Sequence, residues 1–379
     1  MDYILLQHYW WFIIALLAGI LVFMLFVQGG QTLIYTIAKT ESQRSLVINS
    51  IGHKWDLTFT TLVTFGGAFF ASFPLFYSTS FSGAVYVWMA ILIFFVLQAV
   101  SFEYRTKSGN LLGQKTYEWF LILNGVFGTI LLGAAVGTLF TGGNFIVERA
   151  NIGDLGGNLS ISQWQTPWHG LEAVTDFRNV ALGLAVLFLS RMVAIHYFFN
   201  NIDNKEIKEQ SKKPLIVSSA LFLLFFLTFL ISIMLSKGYA ADPSSGIIYA
   251  EPYKYFLNMI DMPIVMIFLL AGIVSVLAGM FLGIKSQSSK AVWFSGIGVV
   301  TTVTSLLLIL GYNNTSYYPS LTDMQSSLTI TNSSSSEFTL TIMTYVSFII
   351  PLVLAYIWYA WRAMNKTKMS DTASETEAY

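Results

Sequence analysis

Apolar runs of about 20 residues or more recur along the whole chain, separated by short polar stretches. Runs of that length cross the ~30 Å hydrocarbon core of a bilayer as helices, because lipid offers the backbone no hydrogen-bond partners. Membrane strands would instead alternate over segments of about ten residues. Nine spans follow, over residues 8–38, 57–77, 81–104, 117–140, 177–199, 214–236, 255–284, 291–311 and 338–362. They predict an all-α polytopic membrane bundle occupying residues 1–366 as one unit, with a polar tail over 367–379. The first run, if helical throughout, is about 45 Å long at 1.5 Å per residue, more than the core is thick. Gly29 and Gly30, flanked by Gln28 and Gln31, mark where it kinks or packs closely on a neighbour.

The polar connections set a direction. One set carries Lys39, Arg44, Lys54, Arg105, Lys107, Lys115, Lys205, Lys208, Lys212, Lys213, Lys285, Lys290, Arg362, Lys366 and Lys368, fifteen basic residues. The opposite set carries Arg149, Lys237 and Lys254, with Arg178 and Arg191 inside the fifth span. Cytoplasmic loops retain Lys and Arg, so this asymmetry predicts an outside N-terminus, a cytoplasmic C-terminus and an odd number of spans. Residues 1–7 show no basic leader or cleavage site and lead into the first membrane helix. The two longest opposite-side connections, 141–176 and 312–337, are rich in Gly, Asn, Ser and Thr, and the serine run at 332–336 reads as a flexible polar loop.

Composition narrows the function classes. Hydrophobic residues are 55% and charged residues 11% of the chain, and formal charges balance, which gives nucleic acid no footprint. The absence of cysteine removes disulfides, iron–sulfur clusters and thiolate ligation. His8, His53, His169 and His196 all lie in or near the interfaces, so no haem or metal ligand stands at mid-span. Trp10, Trp11, Trp55, Trp119, Trp358 and Trp361 sit near span ends as interfacial anchors.

Ionisable residues at membrane depth are costly and ask for a partner, a cavity or a task. Here they form two layers. Asp56, Glu103, Arg105, Glu118, Arg191 and His196 lie toward the basic side; Glu172, Asp176, Arg178 and Asp261 lie toward the other. The bare midplane argues against an ionic transport site there. The basic-side layer has two readings: a set of groups that exchanges protons with water, or a cap on the second helix (Asp56) plus an interfacial Glu103–Arg105 pair. For Arg191, snorkelling toward the interface is the alternative to a functional role.

Particular motifs point further. Val47-Ile48-Asn49-Ser50-Ile51, followed after three residues by Trp55-Asp56, resembles a signature of subunit II of the cytochrome bd-type quinol oxidases. Gly66-Gly67-Ala68-Phe69-Phe70-Ala71, then Pro74 and Phe81-Ser82-Gly83, continue the likeness. So do Phe102-Glu103-Tyr104-Arg105, Ser327-Leu328-Thr329, and the segment from Thr339-Leu340 to Met343-Thr344. The resemblance runs the length of the chain and is strongest between Ile48 and Arg105.

What this implies is one half of an electrogenic bacterial terminal oxidase in the cytoplasmic membrane, with quinol and oxygen as substrates of the complex. A partner, subunit I, would carry the quinol site, haem b and haem d-type groups; this chain would bind none of them. Its implied role is to assemble subunit I and to help form proton or oxygen routes. Asp56 matches an aspartate linked to proton entry, and Glu103 takes the acidic position of the helix-three motif. Asp56, Glu103, Glu118 and Arg191 are the proton-transfer candidates; Asn49, Trp55, Gly66, Gly67, Tyr104 and Arg105 carry the motifs. A structural quinone or lipid in this subunit and small single-span accessory subunits are further implications.

The chain also departs from the family. A pair of acids around Gly late in helix one is replaced by Gln28-Gly29-Gly30-Gln31, an arginine before the helix-three motif by Gln98, and a histidine before Trp55 by Lys54. At the first two of these sites the chain lacks the charged residues that the family has. Two other function classes compete: a stand-alone secondary transporter using Asp261, Arg178 and Arg191, and a purely structural membrane partner.

Overall fold

The apolar runs fold as helices that close their backbone hydrogen bonds internally, as lipid requires. The computed structural model describes residues 2–149, 151, 160–364 and 368–369. In order the helices are α1 (Tyr3–Met24), α2 (Phe26–Gln31), α3 (Ile34–Ile37), α4 (Glu41–Gly52), α5 (Trp55–Ser72), α6 (Pro74–Phe76), α7 (Val85–Tyr104), α8 (Gln114–Leu123) and α9 (Thr129–Thr141). Then come α10 (Phe177–Asn201), α11 (Lys205–Met234), α12 (Lys254–Asp261), α13 (Pro263–Ser286), α14 (Ala291–Gly311), α15 (Ile330–Ser333), α16 (Glu337–Ser347) and α17 (Ile350–Met364). Among the described residues seven helices are long and apolar enough to cross a membrane, and up to nine if two bent pairs each count as one.

Local chemistry places the breaks. The first span covers Tyr3–Gln31 rather than 8–38, and the chain turns at Thr32 and Leu33, directly after the paired glycines. A Cβ on Gly29 would overlap the carbonyl of Ser190, so that glycine is where α2 and α10 touch backbone to backbone. Pro74 opens α6 after a 115° bend that ends the second span. Likewise Pro263 cuts the expected span 255–284 in two, leaving α12 separate and starting α13. α16 and α17 meet at 40°. Side-chain caps fix several starts: Thr40 and Gln43 form a capping box on α4, Asp176 caps α10, and Asn204 caps α11.

The bundle has two unlike ends, the one with the basic connections (the basic end) and an ordered cap. The cap consists of three antiparallel ribbons: β1 (Phe145–Val147) with β2 (Ser162–Trp164), β3 (Lys237–Ala241) with β4 (Ile248–Pro252), and β5 (Ser316–Tyr318) with β6 (Leu328–Thr329). Single bridges, Gly143 to Ser320 and Ala240 to Thr315, tie the ribbons together. Gln325 clamps β4 through the Ile248 backbone, accepting from its N–H at 3.0 Å and donating to its carbonyl at 2.8 Å. The described parts of the connections 141–176 and 312–337 therefore include built structure. Within the serine run, Ser333 ends α15 and pairs its hydroxyl with the buried Tyr317 phenol at 2.6 Å, so that part of the expected flexible loop is ordered.

One core cluster packs Trp11, Phe69, Phe73 and Tyr317 under the cap; the other packs Phe26, Ile48, Tyr197 and Phe198 toward the basic end. Helices α10 and α14 are mostly enclosed, whereas α7, α11 and α13 leave most of their apolar surface open. The polar tail falls mainly outside the described residues; Met369 bridges to Ile202.

Candidate functional site at the basic end

Helices α3, α4, α7 and α8 converge on one buried carboxylate. Glu118 of α8 is 1% exposed and accepts from Arg105 Nε at 3.1 Å and Nη2 at 2.9 Å. The Tyr35 phenol donates to its other oxygen at 2.6 Å, and Arg44 Nε lies 3.6 Å from that oxygen. Arg105 also donates to Ser45 at 3.1 Å. With its amide oxygen toward Arg105 Nη2 (2.5 Å), Gln114 donates to Glu41 at 3.0 Å and extends the cluster. A buried ion pair is supported only when its remaining lone pairs and protons find partners, and here the tyrosine, serine and glutamine supply them.

A second polar layer lies deeper. Gln28 and Gln31 of α2 each donate to Gln98 Oε1 at 2.7 Å, and Asn124 donates to Gln98 Oε1 at 2.5 Å and to Gln31 Oε1 at 2.9 Å. All four side chains are fully buried. Asn124 opens a π-helical turn, Asn124–Gly128, whose widened backbone interrupts the fourth span. The two layers are joined through α7, where Gln98 stands two turns before Arg105. At the positions read as departures from the family, the structure gathers neutral amides in a mutually bonded set. Gln28 Oε1, Gln98 Nε2 and Asn124 Oδ1 remain without hydrogen-bond partners.

The expected site residues do not form one constellation. Glu118 and Arg105 are joined, but Glu103 is not part of their cluster. It is exposed and pairs with Lys107 at 3.2 Å, which corrects the expected Glu103–Arg105 pair. Residues two apart on a helix point to different sides, whereas Glu103 and Lys107 share a face. Asp56 is exposed on the first turn of α5. Asn49 is buried in α4 with its Oδ1 unpartnered, Trp55 stacks on Phe102 at 6.0 Å, and Tyr104 is exposed. Gly66 meets only the Phe81 ring, and a Cβ on Gly67 would meet nothing. Sequence reasoning named Gln28, Gln31 and Gln98 only as departures and missed Asn124, Tyr35 and Arg44; an asparagine inside the apolar run 117–140 was the available signal.

The transporter residues lie apart. Arg178 pairs with Asp176 at the cap, Asp261 accepts from Asn313 at 3.2 Å, and Arg191 is about 20 Å along α10 from Arg178. The cap holds a cleft of about 710 Å³ lined by Glu172, Asp176 and Arg178, all with partners inside the chain. At the centre of the bundle is a wholly apolar cavity of about 100 Å³, bordered by Leu25, Leu132, Phe222 and Leu306.

Three of the histidines are engaged within the chain. His196 hydrogen-bonds Ser295 through Nδ1 at 2.9 Å, and its Nε2 lies so close to Gly283 that even a Cβ there would overlap it. His8 bonds the Ile4 carbonyl and His169 the Gly83 carbonyl. No group of three or more His, Asp and Glu that could hold a metal ion occurs among the described residues.

The family model described as cytochrome bd terminal oxidase subunit II matches residues 6–364. The chain is 27% identical to a probable cytochrome oxidase subunit 2 of Haemophilus influenzae over 94% of each chain. It is 25% identical to cytochrome bd-I ubiquinol oxidase subunit 2 of Escherichia coli K12, covering 100% of this chain and 99% of the relative. A chain of the bd oxidase from Geobacillus thermodenitrificans has the same fold at a TM-score of 0.65 and 13% identity, over 96% of this chain and 99% of the other. With motifs, helices and family match in agreement over nearly the full length, the chain belongs to the cytochrome bd terminal oxidase subunit II family.

Proposed function

We propose that this chain is the haem-free half of its oxidase: it supports the haem-bearing subunit I and supplies that partner's proton-entry surface. Family membership makes it a multi-pass membrane subunit of a bacterial quinol oxidase that works as a complex containing haem. The basic end faces the cytoplasm, with the N-terminus outside, because the basic connections cluster there. Haem b and the haem d-type group reside in subunit I, where quinol is oxidised and oxygen reduced.

One observation carries the reading. Asp56 stands exposed on α5 above a helix face on which Thr60, Val63, Thr64 and Phe70 are also exposed and Gly67 leaves open space. An ionisable group on such a face asks for a partner or a water path, and close-packing small residues beside it suit another helix. The α11 and α13 faces are open too, but their large exposed residues, such as Leu224, Ile231, Ile267 and Phe281, suit lipid. The central apolar cavity supports partition of oxygen into this subunit and has no polar lining to hold a quinone head.

The test is Asp56→Asn in the assembled two-chain complex, with quinol turnover and charge translocation measured in proteoliposomes. Turnover and translocation both fall if Asp56 serves proton entry. Unchanged values with intact assembly would reduce this chain to a structural partner.

A further inference from the structure

The chain bridges back on itself at the basic end. Met369 donates its N–H to the Asn201 carbonyl at 2.9 Å, and its own carbonyl accepts from the Asp203 N–H at 2.9 Å. These two bonds form a parallel bridge with Ile202. Ile202 and Asn204, between α10 and α11, keep extended backbones, so the connection presents a short strand edge to a passing segment. Lys368 adds its charge to that of Lys208 at the Asp203 carboxylate. This hold matters for the last helix. α17 is exposed along nearly its whole length, and its ring contacts with the bundle run through Trp361. Trp361 meets Phe26, Tyr197 and Trp293, and its ring centroid lies 4.9 Å from the Lys54 ammonium.

Parallel pairing sets a direction. Past Met369 the chain runs the same way as the α10–α11 connection, and continued pairing would bring Ser370 level with Asp203 and Asp371 level with Asn204. A cleft of about 450 Å³ lies there, bordered on one side by Thr40 and Ser42 at the start of α4 and on the other by Asp203, Asn204 and Lys205 at the start of α11. Two helices thus begin at its walls, and the first amides of a helix have no partner within it and favour a carboxylate. The acids already at the cleft are engaged: Asp203 pairs with Lys208 at 3.1 Å, and Glu206 accepts from Gln43 at 2.5 Å. Lys205 is exposed at the rim. The segment from Ser370 to Tyr379 carries Asp371, Glu375 and Glu377 and no basic residue.

We infer that the segment following Met369, residues 370–376, docks in the cleft between the starts of α4 and α11, with Asp371 at the α11 N-terminus, and straps the end of α17 to the bundle. This goes beyond the proposed role of Asp56 and is independent of it. The chain's own segment is the occupant for two reasons. The bridge at Met369 delivers it to the cleft in the right direction, and its negative charge suits two helix starts and Lys205.

The chain has no cysteine, so introduced thiols report on it without background. Ser42→Cys is placed in the assembled two-chain complex, with and without residues 370–379, and its labelling by a water-soluble maleimide is followed on this chain by mass spectrometry. Ser108→Cys, on the α7–α8 connection, is the control. Deleting residues 370–379 speeds labelling at Ser42→Cys roughly fivefold, the ratio for a segment docked about four-fifths of the time, and leaves Ser108→Cys unchanged. Equal rates with and without the segment overturn the docking; if both are slow, the cleft belongs to another chain. In the full chain Asp371→Lys speeds labelling about two- to fivefold, the ratio for losing a contact at a helix N-terminus. An unchanged rate overturns the place given to Asp371. If the deletion prevents assembly, cysteine pairs in the full chain decide. Ser42→Cys with Thr372→Cys forms a disulfide on mild oxidation, and Ser108→Cys with Thr372→Cys does not. No disulfide in the first pair, or equal yields in both, overturns the proposal.

Discussion

The Tyr35 hydroxyl donates to Glu118 at 2.6 Å, so the carboxylate that holds Arg105 also anchors the segment that ends the first span. A connection between the first and second spans is thereby locked to the ends of the third and fourth. Glu118→Ala strands two arginines, one fully buried, and is expected to destabilise the complex by about 3–5 kcal/mol. Tyr35→Phe removes a single hydrogen bond to a charged group and costs about 1.5–3 kcal/mol. Thermal unfolding in detergent, followed through the haem spectrum of the complex, ranks the two.

The amide layer predicts a charge rescue. Gln98→Arg puts a cation among neutral amides and lowers the yield of assembled complex, because an uncompensated buried charge costs several kcal/mol. Adding Gln31→Glu places a carboxylate against it, within the hydrogen-bond distance Gln31 already keeps from Gln98, and restores much of the yield. Quantifying co-purified subunit I in the single and double variants checks this.

Two glycines separate packing within the chain from packing on the partner. Gly29→Ala drives a methyl into the Ser190 backbone and costs about 1–3 kcal/mol through the separation of α2 from α10. Gly67→Ala meets nothing in this chain, so the chain alone tolerates it. Its effect appears only as weaker retention of subunit I in a pull-down under rising detergent.

Glu103 and Asp56, both exposed, are expected to differ. Glu103→Gln loses a surface pair with Lys107 worth at most about 1 kcal/mol and leaves stability nearly unchanged. Turnover assays on Glu103→Gln and Asp56→Asn should then show the larger loss at Asp56, which has no such neighbour to replace.

The helical runs were legible because lipid leaves the backbone no alternative, and their ends follow Pro74, Pro263 and the Gly29–Gly30 pair. Close packing at Gly29 was read correctly from two glycines in an apolar run. The cap was not legible: its ribbons are two to five residues long and depend on side chains from distant segments, such as Gln325 on β4. Nor could spacing reveal that Arg105 chooses Glu118. The pairing is decided by how α8 packs on α7, whereas the nearer Glu103 faces the other way. The amide layer was half visible, as three glutamines where charges were expected; Asn124 joins it only through the π-helical turn.

That haem resides in the partner chain while this one carries none is tested most directly by absorption spectra of the two chains, expressed together and then separated. All haem absorption is predicted to follow subunit I, and this chain, although required for a stable complex, comes away colourless. A haem band retained by this chain would contradict that assignment.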